Sequence, residues 1–390
     1  MQNQGKKMPK FEDAKIALVC DWLTNWGGAE RCFQLFHEVF PGAPIYTLIY
    51  NEKKMPEFKN VKMITSPLQR NPLARKKWQF FFNQMQYQIE QFDLSEYDIV
   101  LSASHSIAKG IITKPSSLHV CYLYSPTRYL WDYAYLYLRE MSITKISFVD
   151  DILKLYIKKQ FHKIRAWDYL AGQRPDKIVA ISNYIANRTR KYYRREADVI
   201  YPPVNSNLYQ MVNENEIEDY FLIVGRQVDY KRTDIVIEAF NKNGLPLVIV
   251  GEGPALEKLK KITKSDKIKF LGRIPDAEVK EYYAKCRAFI FPQEEDFGIT
   301  PLEAQSAGRP VIAYRAGGAT ETVIENETGV FFDEQTPESI NEVIKNFDHK
   351  KFNSHKIREH ALKFDNEIFK KNIKEYLRKE WEEHVRKSQK

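Results

Sequence analysis

Residues 288–314 read AFIFPQEEDFGITPLEAQSAGRPVIAY. Phe289–Pro292 has the apolar character of a buried strand, Pro301–Ala307 a helical pattern stopped by Gly308, and Pro310–Tyr314 a second strand. Strand, helix, strand at this spacing predicts a parallel crossover unit. Glu295 then falls in the loop leaving the first strand and Glu303 in the first turns of the helix. Between them, Phe297-Gly298-Ile299-Thr300 brings bare backbone N–H groups to a helix N-terminus, a natural place for an anion. Two carboxylates around an anion cradle suit a ligand carrying both hydroxyls and phosphates, such as a nucleotide sugar.

The same alternation extends in both directions. Upstream in the second half, strands are expected at Tyr220–Gly225, Leu247–Gly251 and Ile268–Gly272; downstream, at Gly329–Phe332. The first half shows it less regularly, with strand-like runs at Lys15–Asp21, Pro44–Tyr50, Val61–Ser66, Asp98–Ser104, His119–Ser125, Lys177–Ser182 and Val199–Tyr201. The expected fold is α/β: two Rossmann-like parallel-sheet domains facing a cleft. The boundary is placed at Tyr201-Pro202-Pro203-Val204, giving domains 1–204 and 205–366 followed by a charged helix over 367–390. An aromatic and basic insertion, Pro126–Gln173, reads as helices.

A chain of 390 residues exceeds the usual size of one core, in keeping with two domains. Its four cysteines are scattered without CxxC spacing, which fits a reducing compartment and cytoplasmic placement. The N-terminus lacks the apolar core of a secretion signal, and no run approaches the roughly 18 apolar residues of a membrane span. The formal net charge is +9, and the basic excess falls wholly within residues 1–204. Any anionic partner is therefore expected on that half.

Arg226 and Lys231 follow the strand ending at Gly225, at the carboxyl edge where ligands bind in parallel sheets. A guanidinium fork with an ammonium point charge suits a diphosphate; a solvated basic loop is the plainer alternative. Gly27-Gly28 opens a helix after the first strand and permits close approach of a phosphate or sugar, or else forms a simple turn. His105 follows another strand and is read as a neutral imidazole that hydrogen-bonds a substrate hydroxyl, or as a structural residue. No spaced Asp-x-Asp follows a strand and no GxxxxGK[ST] loop occurs, so neither a diphosphate-bound metal nor an NTPase is called for.

Arg226 and Lys231, together with Glu295-x7-Glu303 inside EEDFGITPLEAQSAGRPVIAYRAGGATETVIENETGVFF, resemble the donor site of retaining glycosyltransferases of family 4. Gly27-Gly28-Ala29-Glu30 and Ser-His105-Ser resemble the N-terminal elements of that family. The resemblance implies a GT-B fold, with the acceptor on the N-terminal domain, the sugar donor on the C-terminal one, and the last helix crossing back. It implies that Glu295 holds sugar hydroxyls and Glu303 the ribose. Arg226 and Lys231 then neutralise the diphosphate, aided by the N–H groups of Phe297, Gly298 and Ile299. Ile274 lies in the base-binding segment, Gly28 beside the diphosphate and His105 at the reacting centre. Asp296 stands where the family usually has glycine. SASHSIAKG (102–110) and HVCYLYSPTRYLWD (119–132) resemble bacterial mannosyltransferases that build O-antigen from GDP-mannose.

The resulting expectation is metal-independent transfer of a hexose, mannose from GDP-mannose, to a glycan or lipid-pyrophosphate-linked acceptor, with no cofactor. Alternatives are a UDP-sugar-dependent transferase, a nucleotide-sugar epimerase of the same architecture and a basic nucleic-acid binder. The last leaves both glutamates unexplained and lacks a nucleic-acid motif. Lys6, Lys7, Lys10, Arg75, Lys76, Lys77, Lys158 and Lys159, with the aromatics of Pro126–Trp167, form a candidate peripheral contact with the anionic inner face of the cytoplasmic membrane. An ordinary solvated basic face is the alternative.

Overall fold

The computed structural model describes residues 9–76, 81–135 and 147–388. Two compact units emerge, Met1–Ile200 with Lys370–Lys390, and Tyr201–Phe369. In the first unit the strands are β1 (Ile16–Cys20), β2 (Ile45–Thr47), β3 (Met63–Thr65), β4 (Ile99–Ser104), β5 (Leu118–Leu123), β6 (Lys177–Ala180) and β7 (Asp198–Val199). They form one parallel sheet in the order β3-β2-β1-β4-β5-β6-β7. Every residue of β4 and β5 is buried, as apolar runs covered by helices on both faces require.

The second unit holds β8 (Phe221–Val224), β9 (Leu247–Val250), β10 (Ile268–Gly272), β11 (Ala288–Phe291), β12 (Val311–Tyr314) and β13 (Gly329–Phe332), in the order β10-β9-β8-β11-β12-β13. All pairings are parallel, with Phe221 opposite Leu247 and Phe289 opposite Val311. Phe221, Ile223, Phe240, Ile290, Ile312 and Ile340 share one core cluster on this sheet. Each such side chain contributes about 1.5–3 kcal/mol by leaving water.

Each sheet reverses its strand order once, between β1 and β4 and between β8 and β11. Ligands in open parallel sheets bind outside the carboxyl ends of the strands at such a reversal. The loops after these four strands are therefore the places to look.

The expected strands of both halves are present, several trimmed by one to three residues at their ends. Within the Pro126–Gln173 insertion, Arg128–Leu130 forms a single 3-10 turn and Ser147–Ala171 a long helix. Lys6, Lys7, Lys77 and Tyr137 lie outside the described residues. The last helix runs Asn366–Ser388 and belongs to the first unit from Lys370 onward. It buries Ile373, Leu377 and Trp381 there, and its buried Glu380 pairs with Lys177 at 2.9 Å.

Candidate active site

In the second unit, Arg226 and Lys231 follow β8, Ile274 follows β10, and Glu295 stands in the loop after β11. Glu303 is carried by the helix Ile299–Ser306. The structure thus brings eight of the ten residues singled out in the sequence to one sheet edge, around the β8/β11 reversal. Lys231 ends the short turn Asp229–Lys231, and its Nζ lies 3.4 Å from Glu295 Oε1. That oxygen is buried and, among the described residues, accepts no hydrogen bond. A buried polar oxygen that accepts no hydrogen bond is costly, so the site suits a group that donates to it. Arg226 is exposed at the same edge.

The loop between the two glutamates is held from several sides. Phe297 is buried, with its ring 5.7 Å from that of Tyr201 at 24° and 6.0 Å from that of Phe364. Gly298 takes φ +88°, a conformation side chains disfavour, and so turns the chain into the helix. From across the loop, the Gly318 N–H donates to Glu295 O at 2.8 Å. A Cβ on Gly318 would stand 2.2 Å from Phe297 Cα, so only glycine admits this backbone contact. The helix has no side-chain cap, and among the described residues the N–H groups of Phe297, Gly298 and Ile299 have no protein acceptor. Such donors, at the positive end of the helix dipole, suit an anion.

Tyr283, fully buried on the helix Asp276–Lys285, donates its hydroxyl to Glu303 Oε2 at 2.8 Å. Burial and then the Glu303 charge push this phenol well above its ordinary range, so it stays protonated and donates.

Gly28 and His105 lie in the first unit, at its own β1/β4 reversal. Gly28 is exposed and begins the helix Gly28–Val39. His105 Nδ1 lies 2.9 Å from Asp21 Oδ2, and the ring meets Trp22 edge-on at 4.8 Å. Asp21, buried just past β1, also accepts from the backbone N–H groups of His105 (2.7 Å), Ser106 (3.1 Å), Ile107 (2.6 Å) and Ala108 (2.6 Å). Burial alone would raise the Asp21 carboxyl; His105 and these N–H groups outweigh it and hold it at about 2. In turn burial lowers His105, but the Asp21 charge overrides it and raises the imidazole above its ordinary value. The imidazole expected to be neutral from the sequence stands against an ionised carboxylate on Nδ1, which shifts it toward the imidazolium.

Behind this loop, Lys109 Nζ pairs with Asp168 Oδ1 at 2.7 Å, both side chains fully buried. Asp168 also accepts from Thr127 Oγ1 (2.6 Å), Trp131 Nε1 (2.8 Å) and Tyr193 OH (2.8 Å). Such complete pairing is what a buried charge needs.

The two reversals are used in opposite ways. In the first unit the loop N–H groups are spent on the chain's own Asp21. In the second they are left bare beside two cations. A phosphate therefore fits the second unit. Sequence reading missed Asp21, Tyr283 and Gly318, although an aspartate directly after a strand and the Gly317-Gly318 pair were visible signals. Among the described residues, no group of three or more His, Cys, Asp or Glu is placed to hold a metal ion.

Residues 207–364 match the family of glycosyl transferases group 1. Over 192 residues the chain is 31% identical to an uncharacterized glycosyltransferase of Methanocaldococcus jannaschii, covering 48% of this chain and 54% of that one. It is 27% identical over 213 residues to the O-antigen chain mannosyltransferase C of Escherichia coli, covering 50% and 56%. The chain thus spans about half the length of these curated relatives. Among solved structures, Anabaena HepE in complex with UDP and glucose aligns with a TM-score of 0.64 at 18% identity, covering 93% of this chain and 99% of that one. At that identity the likeness speaks for the fold, two Rossmann-like parallel-sheet domains of the GT-B kind.

Proposed function

We propose that this chain, matched over residues 207–364 by glycosyl transferases group 1, moves a hexose from a nucleotide diphosphate sugar to a glycan or lipid-linked saccharide, with retention at the anomeric carbon. The observation that carries the reading is the buried, unsatisfied Glu295 Oε1 beside Lys231, next to a helix start whose N–H groups are bare. Glu303 takes the ribose hydroxyls, and Ile274 lies against the base. Arg226, Lys231 and the N–H groups of Phe297, Gly298 and Ile299 take the diphosphate. Glu295 accepts from a hydroxyl of the sugar. In the first unit taken by itself, His105, raised through Asp21, is a donor suited to a sugar hydroxyl or a phosphate, and the exposed Gly28 admits close approach of a phosphate.

In the transfer, the acceptor oxygen forms a bond to the anomeric carbon as the carbon–phosphate-oxygen bond breaks. The acceptor proton passes to a phosphate oxygen of the leaving diphosphate, and the nucleoside diphosphate departs. Fixed cations and helix N–H groups stabilise the growing negative charge without reorganising. Neither glutamate is a nucleophile, and no cofactor enters this reading.

The donor we favour is GDP-mannose, supported by the likeness to an O-antigen mannosyltransferase. A UDP-sugar is the second reading, supported by the shared fold of a protein seen with UDP and glucose. Thermal-shift measurements across GDP-, UDP- and dTDP-sugars test both. Greatest stabilisation by GDP-mannose is expected, and a UDP-sugar ranking first would overturn the mannose assignment. We also place the protein peripherally on the inner face of the cytoplasmic membrane. Ile152, Leu155, Lys158 and Lys159 are exposed together on the helix Ser147–Ala171, an apolar and basic combination suited to anionic lipid. Flotation with and without anionic lipid checks this, and failure to float in either case would refute it.

A further inference from the structure

We propose that Tyr283 is a specificity-determining positioning residue: its phenol fixes the carboxylate of Glu303 so that the site accepts ribonucleoside diphosphates and rejects deoxyribonucleoside ones. The inference rests on the reading of Glu303 as the ribose contact. Tyr283 has no freedom of its own. Its ring is fully buried, packed edge-on by Tyr209 at 5.7 Å and at a 49° tilt by Phe289 at 5.5 Å. The hydroxyl therefore has one place to be, and there it donates to Glu303 Oε2 at 2.8 Å. A carboxylate on a short helix has two rotatable bonds before its plane is set. One fixed, charge-assisted hydrogen bond to one oxygen sets that plane. Two neighbouring ribose hydroxyls need such a pre-set acceptor, because aiming it only after binding costs side-chain entropy. A deoxyribose in the same place leaves part of the carboxylate unmatched, and sites built to bond a hydroxyl discriminate strongly against its absence. Glu303 is half-buried rather than sealed, so the effect is moderate, on the order of tenfold per lost partner.

The test uses the full chain with GDP, UDP and their 2′-deoxy forms, read by calorimetric Kd and by donor KM and kcat. Wild type should prefer the ribonucleotide by about tenfold or more. Tyr283→Phe should weaken ribonucleotide binding about tenfold, change deoxynucleotide binding little, and raise donor KM far more than it lowers kcat. Tyr220→Phe removes another phenol, one that bonds Tyr282 O on the same helix, and should leave the ratio intact. In a Glu303→Ala background, Tyr283→Phe should have no further effect on the ratio, since both act through one carboxylate. A Tyr283→Phe protein with the wild-type ratio and affinity would overturn the role of Tyr283 alone. A wild type indifferent to the 2′-hydroxyl would overturn the ribose role of Glu303 and this proposal with it.

Discussion

Replacing Gly318 by alanine tests the site through backbone it never shows to a ligand. The added Cβ would lie 2.2 Å from Phe297 Cα and 2.4 Å from Phe297 O, where ordinary contact begins near 3.4 Å. Both obstacles are backbone atoms, so no side-chain rotation relieves them. The loop must retreat by about 1 Å, in line with the cost of overpacking, roughly 1–3 kcal/mol. That loop carries Glu295 and the N–H groups of Phe297, Gly298 and Ile299, and its Glu295 carbonyl is the acceptor for the Gly318 N–H. A displacement of about 1 Å in a positioning element costs on the order of 100-fold in rate. Steady-state kinetics should therefore show kcat/KM down about 100-fold, and calorimetry a Tm lower by several degrees. Gly42→Ala, where a Cβ meets nothing within 4 Å, is the matched control and should change neither. A Gly318→Ala enzyme with wild-type kcat/KM and an unshifted Tm would refute the reasoning.

Lys231→Ala should lower kcat by roughly 100- to 1,000-fold, the usual cost of one lost donor to developing charge; undiminished turnover would sink the assignment of Lys231 to the diphosphate. The Asp21–His105 pair predicts a defined pH dependence of stability. Asp21, held at about 2, contributes fully above its ordinary value of 3.8 and loses that contribution as pH falls through 2. His105, raised above 6.5, contributes fully below 6.5 and loses it as pH rises through its folded value. The Tm difference between wild type and His105→Gln should accordingly be largest near pH 5–6 and shrink in the alkaline range, and a pH-independent difference would contradict the pairing. All four cysteines are free and buried, and burial pushes the thiols of Cys32, Cys121 and Cys286 up to about 12. Ellman's reagent should react slowly with native protein and fully after denaturation; rapid reaction of any native thiol would show that site to be open.

What could be read beforehand was local. Strand and helix periodicity around Glu295 and Glu303 placed both glutamates on the right elements, because loop, helix start and apolar strand are encoded within a few residues of each other. What escaped depends on partners distant in sequence. Asp21 meets the backbone of His105 across 84 positions, and Tyr283 reaches Glu303 across 20. No periodicity announces such pairs; an aspartate after a strand or a tyrosine on an apolar helix face has the same local appearance with or without them. The surroundings of His105 escaped for the same reason, since the carboxylate that raises it follows another strand. Gly317-Gly318 drew no reading of its own, and only the approach of another loop shows why no side chain is tolerated at Gly318.

The helix Asn366–Ser388 also has a consequence for biosynthesis. Its residues from Lys370 complete the unit that began with β1, yet all of Tyr201–Phe369 is translated in between. At roughly 5–20 residues per second, the first sheet waits on the order of ten seconds or more for Ile373, Leu377 and Trp381 to reach the surface they cover. During that interval the second unit, continuous in sequence, is free to fold first. A ribosome stalled before residue 370 would therefore carry a first unit with an uncovered apolar strip, the form most prone to chaperone capture.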